Sequence, residues 1–358
     1  FAVKTLKEEL LADRAATARF ADEARTWMNL GRHPNIVEAI IYREIAEQPF
    51  LFLEYVEGSN LQALIDLEQN LFPPQVVEFM LQVCAGMHYV HNVQLGPGQQ
   101  GVIHRDLKPA NMMLTRTASV KITDFGLAKA FGRSSSESDV GIGLGTYLYM
   151  PPEQLLDASS ADRTSDVYSF GVAFYAALVG RPPIEGRSAN QVVRAIMSQE
   201  APRPSRFVAG LPAILDQVVL GCLAKRREDR YQDFAQVERA LRAAQPAVEA
   251  AYAGQTGVRR CQACGYLSLY HHSSCPLCVN TVSPVPYPVP TAPVAPSGPP
   301  VATVPGEPSP EEEAVAQLTQ TALEWRAKGD LNRAANLLRQ ALTVLPGHVE
   351  TRRLLDET

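Results

Sequence analysis

The sequence predicts an α+β protein, a sheet-bearing lobe followed by a helical lobe, with smaller modules after them. Three observations carry that expectation. Strand-like runs rich in β-branched and aromatic residues crowd the chain as far as Val56. From Leu61 onward the apolar spacing turns mainly helical, and strands first with helices later is the pattern of segregated α+β architecture. Finally, two C-x-x-C pairs and a proline-dense segment interrupt the last third, where one compact fold would show neither.

The bulk numbers fit this division. A chain of 358 residues is long for one ordinary domain, and 46% hydrophobic with 20% charged residues is a soluble globular balance. A net charge of −5 argues against a nucleic-acid or phospholipid surface, so no nucleic acid is expected as a partner. Six cysteines at this length make no disulfide scaffold; four in C-x-x-C pairs point to metal in a reducing compartment. The longest apolar run, Val167 to Gly180, is too short to span a bilayer and reads as a buried helix. Lys4, Lys7, Glu8 and Glu9 break any signal-peptide pattern, so a cytoplasmic protein with no membrane segment is expected.

In order, residues 1–245 read as one compact unit. A strand from Phe1 to Leu6 precedes helical spacing from about Glu8 to Leu30, which Pro34 terminates. IVEAIIYREI and PFLFLEYV read as strands and EGSN as a turn. Helices follow from Leu61, broken by LGPGQQG, a surface insertion, and by a β-rich stretch between Val102 and Ile122. Residues 246–259 form a bridge, 260–280 a cysteine module, and 281–310 a proline-rich linker whose composition favours extended polyproline II. The linker reads as a spacer, with an SH3-type ligand as the alternative. Residues 311–358 return to amphipathic helix.

The chemistry concentrates in VIHRDLKPANMML followed by VKITDFGLAKAF, with Asp124 thirteen residues after Asn111. On these residues the sequence resembles the Hanks-type (eukaryotic-like) bacterial serine/threonine protein kinases. The resemblance implies a bilobal kinase fold and transfer of the ATP γ-phosphate to protein hydroxyls. Phosphoryl transfer asks a protein mainly for positioning and charge neutralisation. Asp106 would accept the substrate's hydroxyl proton and Lys108 would meet charge on the transferring group. Asn111 and Asp124 would hold Mg²⁺ as hard oxygen ligands, and Gly126 would give the backbone freedom that aims Asp124. FAVK supplies Lys4 as the clamp on the nucleotide phosphates, with Glu23 as its expected ion-pair partner and Asp22 the less favoured one. Glu54 and Val56 would hold adenine through backbone groups, with Leu53 at the gatekeeper position.

The resemblance extends further. Gly145 to Gln154 looks like the end of an activation segment, with Glu153 paired to Arg230 in structural roles; Pro151 stands where alanine is common. Asp166 would tie down the catalytic loop. Lys108 and Thr146 imply serine/threonine specificity. Ser134, Ser135, Ser136 and Ser138 read either as phosphorylation sites pairing with Arg105 and Lys129 or as a plain hydrophilic loop. The family's glycine-rich loop would precede Lys4, so a kinase fold lacking its first two strands is expected, with an exposed sheet edge. A non-catalytic scaffold with this fold is the alternative, disfavoured because every catalytic position is filled.

Cys261, Cys264, Cys275 and Cys278 (C-x-x-C, ten residues, C-x-x-C) fit four thiolates around one structural zinc, and the module resembles a zinc ribbon. His271 and His272 read as loop residues, and Cys84 and Cys222 as core. ALEWRAKGDLNRAANLLRQALTVLPGH resembles a tetratricopeptide repeat, which implies protein partners through this repeat and the linker.

Overall fold

A computed structural model describes residues 1–69, 71–96, 98–125, 147–269 and 274–285, together with Thr319, Gln320, Leu323, Leu338 and Leu354. Residues 1–293 form one compact unit and 294–358 a second. In the second unit those last five positions are helical; the linker from 286 on and most of the expected repeat lie outside the described residues.

The first unit opens with a small lobe. β1 (Ala2–Thr5), β2 (Ala39–Ile45) and β3 (Gln48–Leu53) form an antiparallel sheet in the order β1-β3-β2, with Lys4 opposite Leu51. The helix expected from Glu8 to Leu30 is two helices, α1 (Glu8–Leu11) and α2 (Arg14–Met28). The break falls at Asp13, whose carboxylate caps α2 by accepting from the amides of Ala15 and Ala16. Ala16, Phe20, Ala24 and Trp27 recur at helical spacing and bury the α2 face, and Trp27 Nε1 donates to the Val37 carbonyl at 2.9 Å.

The segment after α2 ties the lobes together. Ile36 bridges to Ile122, the Ile122 amide donates to the Asn35 carbonyl, and Asn35 Nδ2 donates to Val120 at 2.9 Å. β4 (Gly58–Asn60) then pairs with β7 (Met112–Thr115), which pairs with β8 (Val120–Ile122). Between β4 and β7 run α3 (Leu61–Glu68), α4 (Pro73–Asn92) and the hairpin of β5 (Gln94–Gly96) and β6 (Gln99–Gln100). That hairpin is the glycine-rich insertion. Its exit needs Gly101, at φ +69°, where a Cβ would lie 2.2 Å from the His91 carbonyl.

The helical lobe continues through α5 (Pro152–Leu156), α6 (Arg163–Val179), α7 (Ala189–Ser198), α8 (Ala213–Cys222) and α9 (Phe234–Ala251). The apolar run read as a buried helix is α6, buried from Thr164 to Leu178 and packed between α4 and α8. The bridge expected at 246–259 is occupied through Ala251 by α9, with Pro246 inside it; Val248, Tyr252 and Val258 are buried in the main core. β9 (Arg259–Cys261) is central to a small sheet between β10 (Leu267–Ser268) and β11 (Val282–Pro284). The first residues of the proline-rich stretch therefore join this sheet, because Pro284 sits at a strand end where no amide donor is required. Among the described residues no helix is long and apolar enough to cross a membrane.

Candidate active site

The site begins with a buried carboxylate. Asp166 lies in the first turn of α6, a helix capped by the reciprocal Asp162–Ser165 pair, and has no solvent exposure. Its Oδ2 accepts from the His104 amide and its Oδ1 from the Arg105 amide, each at 2.8 Å, and the His91 ring stands 2.8 Å from Oδ2. These bonds hold Arg105 at φ +67°, a strained conformation for a non-glycine residue, and so turn the chain that presents Asp106. Gln154 Nε2 donates to the Arg105 carbonyl at 3.0 Å. Burial pulls the Arg105 guanidinium below its ordinary value, opposed by the negative charges of Asp166 and Glu23.

Around Asp106 the functional side chains converge. Lys108 Nζ lies 2.8 Å from Asp106 Oδ2, and Asn111 Nδ2 donates to the Asp106 backbone carbonyl at 2.7 Å and to Oδ2 at 3.1 Å. Asn111 sits on the single turn Pro109–Asn111, and the use of its amide nitrogen orients its Oδ1 as an oxygen donor. Asp124, immediately past β8, stands at φ +70° and accepts from Thr123 Oγ1 at 3.1 Å. Phe125 packs between Trp27 and His104, with ring centroids 5.7 and 4.7 Å away, so α2 and the catalytic loop grip the residue after Asp124 from both sides.

Lys4 projects from β1 into the same cleft and forms an ion pair with Asp124. The half-buried Glu23 carboxylate on α2 lies close enough to Arg105 to bear on its charge. Glu54 and Val56 lie on the extended segment between β3 and β4. The Glu54 amide donates to the Glu38 carbonyl at 2.9 Å, and its side chain pairs with Lys121 of β8 at 3.0 Å, fixing this segment to both lobes. Gly126, Lys129, Ser134, Ser135, Ser136, Ser138 and Thr146 lie outside the described residues.

Beneath the site, Arg230 NH1 and NH2 meet Glu153 Oε1 and Oε2 at 2.8 and 2.9 Å. The remaining Arg230 hydrogen bonds go to the carbonyls of Thr164, Ala224 and Lys225, and Tyr168 covers one face of the guanidinium. Burial works to raise the Glu153 carboxyl, yet the Arg230 hydrogen bond and charge, with the Ser165 hydroxyl, hold it below its ordinary value.

With this geometry in place, comparison with known proteins decides the family. The protein kinase domain model matches residues 1–241. The chain belongs to the protein kinase family. Serine/threonine-protein kinase PknB of Mycobacterium leprae is 36% identical over 240 residues, covering 66% of this chain and 37% of that protein. PknB of Mycobacterium tuberculosis is 37% identical over 242 residues, with 66% and 37% covered. The kinase-like region thus spans just over a third of the length of those relatives. The solved PknI kinase domain of M. tuberculosis superposes with a TM-score of 0.51 at 24% identity, covering 68% of this chain and 84% of that one, which supports the fold.

Three residues that hold the kinase site escaped sequence reasoning. His91 occupies an ordinary helical position with no local signal, whereas Lys121 and Gln154 lie inside stretches that the sequence does mark, VKITDFG and Gly145 to Gln154, without any sign of their own supporting bonds. Trp27, four residues after Glu23 on the α2 face, carried a usable signal.

A second cluster lies in the same unit. The four thiols of Cys261, Cys264, Cys275 and Cys278 all fall within 4.8 Å of one another, with Cys261 and Cys278 Sγ 3.4 Å apart and Cys264 and Cys275 Sγ 3.6 Å apart. A tetrahedron with metal–sulfur bonds of about 2.3 Å has edges of roughly 3.8 Å, so the donor set fits one closed ion. All four cysteines are free thiols.

Proposed function

We propose that this chain is the catalytic part of a serine/threonine protein kinase that uses ATP with Mg²⁺. The observation that carries the reading is the convergence of Asp106, Lys108, Asn111, Asp124 and Lys4 on one cleft between the lobes. Bound ATP with Mg²⁺ supplies the phosphoryl group and neutralises its charge. Asn111 Oδ1 and the Asp124 carboxylate are the oxygen donors for the cation, Lys4 is the phosphate clamp, and the segment at Glu54 and Val56 faces adenine.

Asp106 accepts and orients the proton of the attacking hydroxyl, with its carboxylate held by Asn111 and Lys108. Lys108, two residues beyond, meets charge on the transferring group. Protein hydroxyls of serine and threonine are the substrate class. The PknB relatives named as serine/threonine kinases support this specificity.

The same proposal assigns Cys261, Cys264, Cys275 and Cys278 to one structural zinc, and the proline-rich linker and C-terminal repeat to protein partners. Two C-x-x-C pairs that hold a metal through thiolates suit a reducing compartment, hence the cytoplasm. The test is phosphoamino-acid analysis of a generic protein substrate after incubation with γ-labelled ATP and Mg²⁺. Phosphoserine and phosphothreonine are the expected products. Phosphotyrosine alone, or label only on small molecules, overturns the assignment.

A further inference from the structure

The zinc-type knuckle is not tethered beside the kinase lobe. It is packed into it. Tyr266, two residues past Cys264, lies 6.2 Å from Phe79 of α4 with the rings nearly parallel at 7°, and both side chains are fully buried. The adjacent Leu267 amide donates to Gln75 Oε1, also on α4, at 2.9 Å, and Gln75 is itself 7% exposed. The Val285 amide donates to the carbonyl of buried Val258 at 2.8 Å and closes the module's far edge onto the α9 exit. Cys261, Tyr266, Cys275, Leu277 and Cys278 belong to the same continuous apolar core as α4, α6 and α9.

The knuckle's own geometry sets where Tyr266 points. The Gly265 amide donates to the Cys261 carbonyl and the Cys261 amide to the Tyr266 carbonyl, each at 2.9 Å, a turn that also places the Cys261 and Cys264 thiols side by side. A metal drawing the four thiolates together would fix such a turn. The other end of α4 reaches the active site, because His91 in its last turn touches Asp166 beneath the catalytic loop. One 20-residue helix therefore carries the docked knuckle at one end and a support of Asp106 at the other.

We propose that the cysteine module is a metal-dependent brace of the catalytic lobe: the ion fixes the Tyr266–Leu267 turn on α4, and its loss loosens α4 and the catalytic loop together. The proposal rests on the metal reading of the four cysteines. It also makes a zinc ion that touches no substrate necessary for full phosphotransfer.

The test uses the whole chain, stripped of zinc with a chelator, freed of chelator, and assayed with Mg²⁺ restored. Bound zinc is counted by elemental analysis at each stage. The expected result is one zinc per chain before stripping, a melting temperature roughly 5 °C or more lower after it, and a several-fold loss of phosphotransfer, both recovered on adding Zn²⁺. Tyr266→Ala keeps the thiols but removes the contact, so its melting temperature should respond less to zinc than that of the parent. Gln75→Ala, a milder variant, should show the same reduced response. A stripped parent with unchanged melting and activity overturns the brace while leaving the metal site intact. A variant response equal to the parent's overturns the route through α4. A chain that neither contains nor takes up zinc overturns the metal reading itself.

Discussion

Two ion pairs of this kinase, Lys4–Asp124 and Glu153–Arg230, join the same kinds of group and differ in almost everything else. In the cleft, Lys4 and Asp124 keep 35% and 24% of their side-chain exposure, and only one ammonium nitrogen meets one carboxylate oxygen. Asp124 is held there at φ +70°. Under the lobe, Glu153 and Arg230 keep 12% and 0%, meet through two parallel bonds, and satisfy their remaining donors on backbone carbonyls. A partly hydrated, singly bonded pair on a strained residue gives up its partner at little cost. A buried fork loses several kcal/mol when opened. On the proposed function, the contrast separates groups that would trade partners during phosphotransfer from groups that hold the lobe in shape.

Three changes test that division, the largest effect first. Asp124→Asn keeps a residue that tolerates the left-handed conformation but removes the charge, so phosphotransfer should drop by about 10²–10³-fold with little change in melting temperature. A large fall in melting temperature would instead make Asp124 a structural holder. Arg230→Ala leaves the Glu153 carboxylate buried without its fork and should cost roughly 3–5 kcal/mol in denaturant unfolding. A cost below about 1 kcal/mol, the range of surface pairs, would erase the distinction.

The smallest effect is one of pH. Because Glu153 sits below its ordinary value of 4.5 in the folded protein, its contribution is complete above that value. It is lost as pH falls through the lower folded value. Comparing acid unfolding of the parent with Glu153→Gln should show the parent's advantage shrinking below about pH 4.5; an advantage independent of pH would contradict the charged pairing.

Much of this was legible in the sequence, because the catalytic loop packs its chemistry into a few consecutive residues. Asp106, Lys108 and Asn111 are five positions apart end to end, and local spacing alone brings them together. The buried α6 helix and the four-thiol cluster were legible for the same reason.

What the sequence hid depends on distant parts of the chain. Lys4 and Asp124 are separated by 120 positions, so no local spacing announces their ion pair. The split of the first helix at Asp13 is a capping effect that apolar periodicity does not register. The docking of Tyr266 on Phe79 joins two aromatics with no local sign of their pairing. The strand at Val282–Pro284 was masked by the prolines that follow it.

If this cleft transfers phosphate, it shows most directly in phosphotransfer from γ-labelled ATP with Mg²⁺ to a protein substrate, measured on the chain and on Asp106→Asn side by side. The two proteins should melt alike, and the substitution should lower the rate by about 10²–10⁴-fold, the range for removing a positioned general base. Equal rates for the two, or no transfer by a parent that binds ATP, would contradict the claim.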